Sequence, residues 1–340
     1  MRILIATDAW RPQINGVVRT YETLRDECTH FGHEIEFLTP AGYRTVPCPT
    51  YPEIRLALLR RSDAGRSIAA FAPDYVHVAT EGPIGLAARG YCLSVGKPFT
   101  TSYHTRFPEY VAARFPVRES WGYAYERWFH NAAAGTMVAT PSLLAELRGK
   151  GLRRLLPWSR GVDTQLFRPR AMRMFGPGPV FLYVGRVAVE KNLSAFLDLD
   201  LPGQKVIIGS GPQLAALRSA YPQVTFTGPL AGETLAEAYD SADVFVFPSR
   251  TDTYGVVILE ALASGLPVAA FPVTGPTDIV AHGRVGYLDE NLGKAAMQAL
   301  TLDRAACRNY ALTFSWKKCA RQFLDNLEQA YAGAGHAHAR

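Results

Sequence analysis

At 340 residues the chain exceeds what one hydrophobic core usually organises, and with 48% apolar and 19% charged residues it is neither disordered nor fibrous. Net charge is +6 but uneven: residues 1–170 carry 22 Lys/Arg against 15 Asp/Glu, and residues 171–340 carry 14 against 15. Five cysteines, odd in number and without a CxxC spacing, exclude a zinc ribbon and a secreted disulfide framework, and they read as reduced thiols of a cytosol.

The first run, RILIATD, predicts a β-strand. Its apolar part is too short for a signal peptide, and no apolar run approaches the ~20 residues that span a bilayer, so a soluble or peripherally bound protein is expected. INGVVRTYETLRDECTHFGH follows as a loop passing into an amphipathic helix, and EIEFLT as a second strand. YVHVAT and FTTSYHT are two more β-rich runs, each introduced by a Pro turn. RFPVRESWGYAYERWFHNA, residues 114–132, interleaves Arg with Trp121, Tyr125, Trp128 and Phe129 at helical spacing. Such a stripe fits core packing, and it also fits a membrane interface with its rings at headgroup depth. The basic balance of this half fits an anionic surface, or chance asymmetry.

The chain breaks at WSRGVDTQLFRPRAMRMFGPGP, rich in Arg, Pro and Gly. Beyond it the rhythm is clearer: GPVFLYVGR, QKVIIGSG, QVTFTGP, ADVFVFPS and LPVAAFP are short strands of the buried type, separated by stretches of helical period. Strand–helix alternation with near-continuous apolar strands predicts parallel sheets covered on both faces. It occurs twice, so the expected architecture is α/β, two doubly wound domains facing each other across a cleft. The expected boundaries are 1–168 and 169–310, with a helix over 311–332 packing back towards the first domain, and a frayed tail. Ligands of such sheets bind at the carboxyl ends of the strands.

One stretch at such an end, RTDTYGVVILEALASGLPVAAFPV (residues 250–273), places two acids in apolar surroundings. Asp252 and Glu260 are eight residues apart, about 80° and about 12 Å on one helix, so they do not meet. The helix is expected to begin near Thr253 or Tyr254 and stop at Gly265, with Pro267 beyond. Gly255 would then lie in the first turn, where unpaired amides and a positive dipole receive a phosphate. Acid, phosphate-binding amides, acid suits a nucleotide-sugar; an N-cap at Asp252 plus an exposed helical Glu260 fits the same spacing. In YVGRVAVEKNL, Arg186 and Lys191 follow a strand and can neutralise a diphosphate leaving group, or stand as two solvated loop charges. GSGP (209–212) is a tight turn too weak to count as a dinucleotide fingerprint, and DLD (198–200) reads as a helix end rather than a metal pair.

GRVAVEKNL, TDTYGVVILE followed by ALASGLPV, and GPTDIVAHGRVGYL resemble the donor half of retaining glycosyltransferases of family 4, which have the GT-B fold. PQINGVVRT and SYHTRFPEY resemble the subgroup that makes glycolipids, including diacylglycerol glycosyltransferases. The resemblance spans roughly residues 3–325. It implies that Glu260 holds the ribose hydroxyls and that Asp252 holds hydroxyls of the transferred sugar, helped by amides near Gly255 and Val256. It implies that Arg186 and Lys191 bind the diphosphate and that His104 lies over the sugar near the reacting carbon. Gly16 would let the first loop approach the diphosphate. Asp252 departs from the family, which usually has Glu there; the shorter arm is expected to alter sugar selectivity.

The resemblance therefore implies a UDP-sugar donor (glucose, galactose or glucuronate) and a lipid acceptor, with diacylglycerol first. No metal or other cofactor and no nucleic-acid partner is expected, and the location is cytoplasmic, peripheral on the inner face of the membrane. Alternatives are a GDP-mannose-dependent enzyme acting on a phosphatidylinositol-type lipid or a polysaccharide, a nucleotide-sugar epimerase, and a non-enzymatic sugar-binding protein.

Overall fold

The central strands of each half are buried along their length and must be covered on both faces, as RILIA, VFLYV and VFVF show. A computed structural model describes residues 1–11, 16–48, 51–112, 116–170 and 173–338. PQIN of the first loop motif and Arg114 and Phe115 of the aromatic stretch lie outside the described residues. The chain divides into two units, residues 1–160 with 316–340, and residues 161–315.

In the first unit, β1 (Arg2–Ala6), β2 (Glu34–Leu38), β5 (Tyr75–Val78), β6 (Thr100–Tyr103), β7 (Gly135–Val138) and β8 (Leu155–Pro157) form a parallel sheet of order β2-β1-β5-β6-β7-β8. A hairpin of β3 (Thr45–Cys48) and β4 (Tyr51–Ala57) stands apart from it. Alternation along β1 feeds both faces. Leu4 and Ala6 pack with Val76, Val78 and Phe129, while Ile3 and Ile5 pack with Tyr21, Met137 and Trp158. The last helix, Trp316–His338, closes the second of these faces with Cys319, Ala320, Phe323, Leu324 and Leu327. Trp158 Nε1 donates to the Cys319 carbonyl (3.1 Å), Asn326 to the Pro157 carbonyl (2.8 Å) and Tyr331 to the Pro98 carbonyl (2.6 Å). The helix runs to His338, through most of the tail that the sequence reads as frayed.

In the second unit, β9 (Val180–Val184), β10 (Gln204–Ile208), β11 (Thr225–Gly228), β12 (Val244–Phe247), β13 (Val268–Ala270) and β14 (Gly286–Leu288) are parallel in the order β11-β10-β9-β12-β13-β14. This is the doubly wound 3-2-1-4-5-6 order, whose direction of winding reverses between its first and fourth strands. Here that switch point lies between β9 and β12, with Phe245 opposite Leu182. Phe181, Tyr183, Phe196, Ile207, Val244, Val246 and Phe271 fill its core. In the first unit the reversal falls between β1 and β5.

Candidate functional site

The loops leaving β9 and β12 are neighbours at the switch point, and they carry the charged residues singled out by the sequence. After β9 the chain passes Arg186 and makes a short 3-10 turn, Val189–Lys191, ended by Asn192 in the left-handed region (φ 54°). Asn192 donates to the Pro248 carbonyl (3.1 Å), tying this loop to the one after β12, and Ser249 and Thr251 both donate to the Glu190 carbonyl (3.4 and 3.3 Å). Tyr183 donates to the Arg186 carbonyl (2.8 Å), which fixes the start of the loop. The GSGP turn lies against it: a Cβ on Gly209 would fall 1.9 Å from the Gly185 carbonyl oxygen, and one on Gly211 would fall 2.3 Å from that of Val187. These glycines permit close backbone approach.

Lys191 forms an ion pair with Asp252 Oδ1, and both side chains are mostly buried. Asp252 Oδ2 is also buried and accepts no hydrogen bond among the described residues. The acid-bearing helix begins later than expected, running Val256–Ala263 with Gly255 as its N-cap at φ 90°. Gly255 therefore precedes the first turn instead of lying in it, because only a residue without a Cβ adopts that angle easily. A Cβ there would also lie 3.1 Å from Ile258 and Phe247. Val256 follows as the first helical residue.

The two bland readings of the acids do not survive. Asp252 makes no cap bond to the helix and pairs with Lys191. Glu260 is 1% exposed, and its Oε2 accepts from Tyr239 (3.0 Å), itself fully buried on the helix Gly232–Asp240. A buried carboxylate is retained only where hydrogen bonds or a ligand answer it. The structure thus gathers Arg186, Lys191, Asp252, Gly255, Val256 and Glu260 in the second unit. Asp198 of DLD instead accepts from Tyr221 (2.6 Å) at an exposed position.

In the first unit His104 follows β6 and is only partly exposed. Its Nε2 lies 2.8 Å from the Tyr21 hydroxyl and its Nδ1 3.3 Å from Arg160 Nη2. Burial first, and then the positive charge of Arg160, push its pKa well below the usual histidine range. Gly16 opens the helix Gly16–His30, exposed, with nothing within 4 Å of where a Cβ would stand. Sequence reasoning missed Tyr21, His77, Ser102, Arg160 and Tyr239. The available signal was polarity inside strands of the buried type, His77 in YVHV and the hydroxyl run of TTSY that carries Ser102.

The aromatic stretch is buried on one side and exposed on the other. On the helix Glu119–His130, Tyr123 and Phe129 are buried, whereas Trp121, Trp128 and Tyr125 are 69%, 54% and 38% exposed. The Arg89 guanidinium stacks on Trp128 at 3.9 Å, and Phe107 and Val111 of the adjacent helix Phe107–Ala112 are exposed too. On the inward side, His130 Nε2 lies 2.9 Å from Glu126 and 3.2 Å from Glu81. Burial opposes a charge on His130, but the bonds to Glu126 and Glu81 outweigh it and hold the imidazole protonated up to about 9. Among the described residues these three form the grouping with metal-ligand proximity, and as they stand they are a buried ion pair. No helix of the described residues is long and apolar enough to cross a membrane.

Residues 14–166 match the description Glycosyltransferase Family 4, and residues 178–302 match Glycosyl transferases group 1. A GDP-mannose-dependent alpha-mannosyltransferase of Mycobacterium tuberculosis is 32% identical over 85% of this chain and 83% of its own length. An alpha-monoglucosyldiacylglycerol synthase of Streptococcus pneumoniae is 27% identical over 88% of this chain and 78% of its own. In fold, the chain superimposes on a sucrose-phosphate synthase of Thermosynechococcus elongatus with a TM-score of 0.79 at 21% identity, covering 97% of this chain and 99% of that one. With two parallel six-stranded sheets, a C-terminal helix on the first, and both halves matched, the chain belongs to glycosyltransferase family 4 and is a glycosyltransferase of the GT-B fold.

Proposed function

We propose that the enzyme is a retaining, metal-independent hexosyltransferase that moves glucose, galactose or glucuronate from a UDP-sugar to a lipid hydroxyl, diacylglycerol first, at an anionic membrane face. The observation that carries the donor half is the Lys191–Asp252 ion pair that joins the loops after β9 and β12 at the switch point of the second sheet, with Arg186 on the first of these loops and buried Glu260 on the helix that follows the second. Arg186 and Lys191 stabilise the diphosphate as the bond to the sugar breaks. The acceptor hydroxyl enters on the face the diphosphate leaves, its proton passes to the departing phosphate oxygen, and no protein nucleophile is used. Glu260 receives the ribose, Asp252 the sugar hydroxyls, and amides near Gly255 and Val256 the phosphate side. Gly16 admits the donor's diphosphate to the first loop, and His104 attends the sugar as positive charge grows on its ring.

The lipid acceptor is supported by the exposed Trp121, Tyr125 and Trp128, by the basic balance of residues 1–170, and by the likeness to the pneumococcal alpha-monoglucosyldiacylglycerol synthase. A second reading, transfer of mannose from GDP-mannose to a phosphatidylinositol-type lipid or a polysaccharide, is favoured by the name of the mycobacterial relative. The test is incubation of the full chain with labelled UDP- and GDP-sugars and a panel of lipids, with the product's anomeric configuration read by NMR. A glycolipid whose new bond keeps the donor's configuration supports the proposal. Release of free or epimerised sugar without an acceptor product refutes it.

A further inference from the structure

We propose that Arg160, acting with Tyr21, is the positioning residue that holds His104 as a neutral imidazole in a single tautomer. The inference rests on the reading that His104 attends the transferred sugar, and it deepens that reading.

A guanidinium has only N–H groups, so the contact between Arg160 Nη2 and His104 Nδ1 (3.3 Å) makes Nδ1 the acceptor. His104 then carries its proton on Nε2 and donates it to the Tyr21 hydroxyl at 2.8 Å. Tyr21 then donates onwards to His77 Nε2 (3.0 Å) or to Ser102 Oγ (3.2 Å), Ser102 Oγ itself lies 2.9 Å from His77 Nε2, and His77 Nδ1–H donates to Thr100 Oγ1 (2.8 Å). By either route His77 Nε2 is the acceptor and Nδ1 the donor, and the direction is set at the Arg160 end. Tyr21, His77, Ser102 and Thr100 are buried, so a reversed link would leave a costly unpaired group.

Arg160 is itself fixed. It is 4% exposed, it donates to the Trp158 and Ser159 carbonyls (2.7 and 3.0 Å), and its guanidinium lies 4.1 Å from the Trp158 ring. The groups facing His104 come from every neighbouring element: Tyr21 from the helix Gly16–His30, His77 from β5, Ser102 from β6, Trp158 and Arg160 after β8, and the charge of His130 beyond. Arg160 and protonated His130 both oppose a second proton on His104. The consequence is chemical: an imidazolium beside a sugar that becomes oxocarbenium-like would repel it, whereas a neutral ring does not.

The experiment is NMR of the full chain with 15N-labelled histidine, without substrate, across pH 5–8, in the native protein, Arg160→Met, Arg160→Lys and Tyr21→Phe. His104 is expected to be the Nε2–H tautomer and neutral throughout in the native protein. In Arg160→Met its titration should rise by about one pH unit or more, and in Arg160→Lys, which keeps a cationic donor, it should return towards the native profile. Tyr21→Phe, which keeps the ring and removes the acceptor, should mix the tautomers, and it tests the chain should Arg160→Met fail to fold. Turnover of Arg160→Met should fall about tenfold more between pH 8 and pH 5 than that of the native enzyme. An Nδ1–H tautomer, a native His104 titrating near its ordinary value, or an Arg160→Met spectrum identical to the native one would overturn the proposal. Since the spectra need no donor or acceptor, a neutral His104 in a protein that transfers no sugar would overturn only the proposed function.

Discussion

Replacing Lys191 and Asp252, singly and together, separates two jobs assigned to adjacent charges. Lys191 is held by Asp252, with the side chains 18% and 16% exposed. A diphosphate that recruits Lys191 must draw it from that carboxylate, and it also brings negative charge towards Asp252. At an effective dielectric of about 20, two unit charges about 7 Å apart interact by about 2.4 kcal/mol, and solvent screening of this partly exposed pair leaves about 1.4 kcal/mol, or about tenfold. Asp252→Asn is therefore expected to bind free UDP or GDP about tenfold more tightly, while its sugar transfer falls by about a hundredfold because a hydroxyl acceptor is lost. Lys191→Ala is expected to weaken nucleotide binding by about ten- to a hundredfold, since it removes the cation and leaves Asp252 facing the phosphates. The double variant should fall between the two single ones. Calorimetry with the free nucleotides measures the first effect, and turnover with labelled donor measures the second. If Asp252→Asn weakened nucleotide binding as much as Lys191→Ala does, the competition argued here would be wrong, and Asp252 would serve to hold Lys191 in place for the phosphates.

Glu260→Gln keeps the size of the side chain but exchanges a charged acceptor for an amide, so affinity for a nucleoside diphosphate should fall by about tenfold or more, with Tyr239→Phe, which removes one bond to Glu260 (3.0 Å), about fivefold weaker; unchanged calorimetric affinities in both would remove Glu260 from the ribose. His77 is buried and pushed down to about 3, first by its burial and then by Arg160. Below its ordinary value the unfolded chain binds a proton that the folded chain refuses. The stability His77 contributes is thus full above about 6.5 and is lost at about 1.4 kcal/mol per pH unit as the pH falls towards 3. Urea titrations of His77→Gln and the native protein at pH 7 and pH 5 should show the native protein losing about 2 kcal/mol more, and equal losses would contradict a neutral buried His77. Trp121→Ala and Trp128→Ala should each lower binding to anionic vesicles by about tenfold in co-sedimentation, with salt weakening all variants; Trp121, 69% exposed, should leave the fold's stability within about 0.5 kcal/mol. Full binding by both variants would turn the exposed face away from the membrane.

The legible parts of this protein are those that local physics dictates. β9 and β12 announce themselves because a parallel strand covered on both faces is apolar at every position and ends at Gly or Pro, as VFLYVG and VFVFP do. β7 and β8 carry a weaker sign: Gly135–Val138 opens on Gly and Thr, Leu155–Pro157 has only three residues, and both are fixed as strands by the neighbours that pair with them. The start of the Glu260 helix was misplaced by a property of one residue, the left-handed angle of Gly255, which composition does not disclose.

The site follows the same division. Arg186, Lys191 and Asp252 could be found because each stands just after a predicted strand, where ligands of doubly wound sheets bind. Their partners could not be found, since pairing is decided by the order of strands in space and not in sequence. Asp252 reaches Lys191 across 61 positions because β9 and β12 are neighbours, and Arg160 reaches His104 across 56 because β6 and β8 flank β7. A residue such as Arg160 is therefore invisible to any reading along the chain, although it stands beside a histidine that was visible. Asp252 is tied to the same spatial order. Its short arm was expected to matter only to the sugar, yet the structure ties that arm to the lysine assigned to the diphosphate. A change from Asp to Glu at this position would lengthen the tie by one methylene, so any effect on sugar choice should arrive together with an effect on nucleotide affinity.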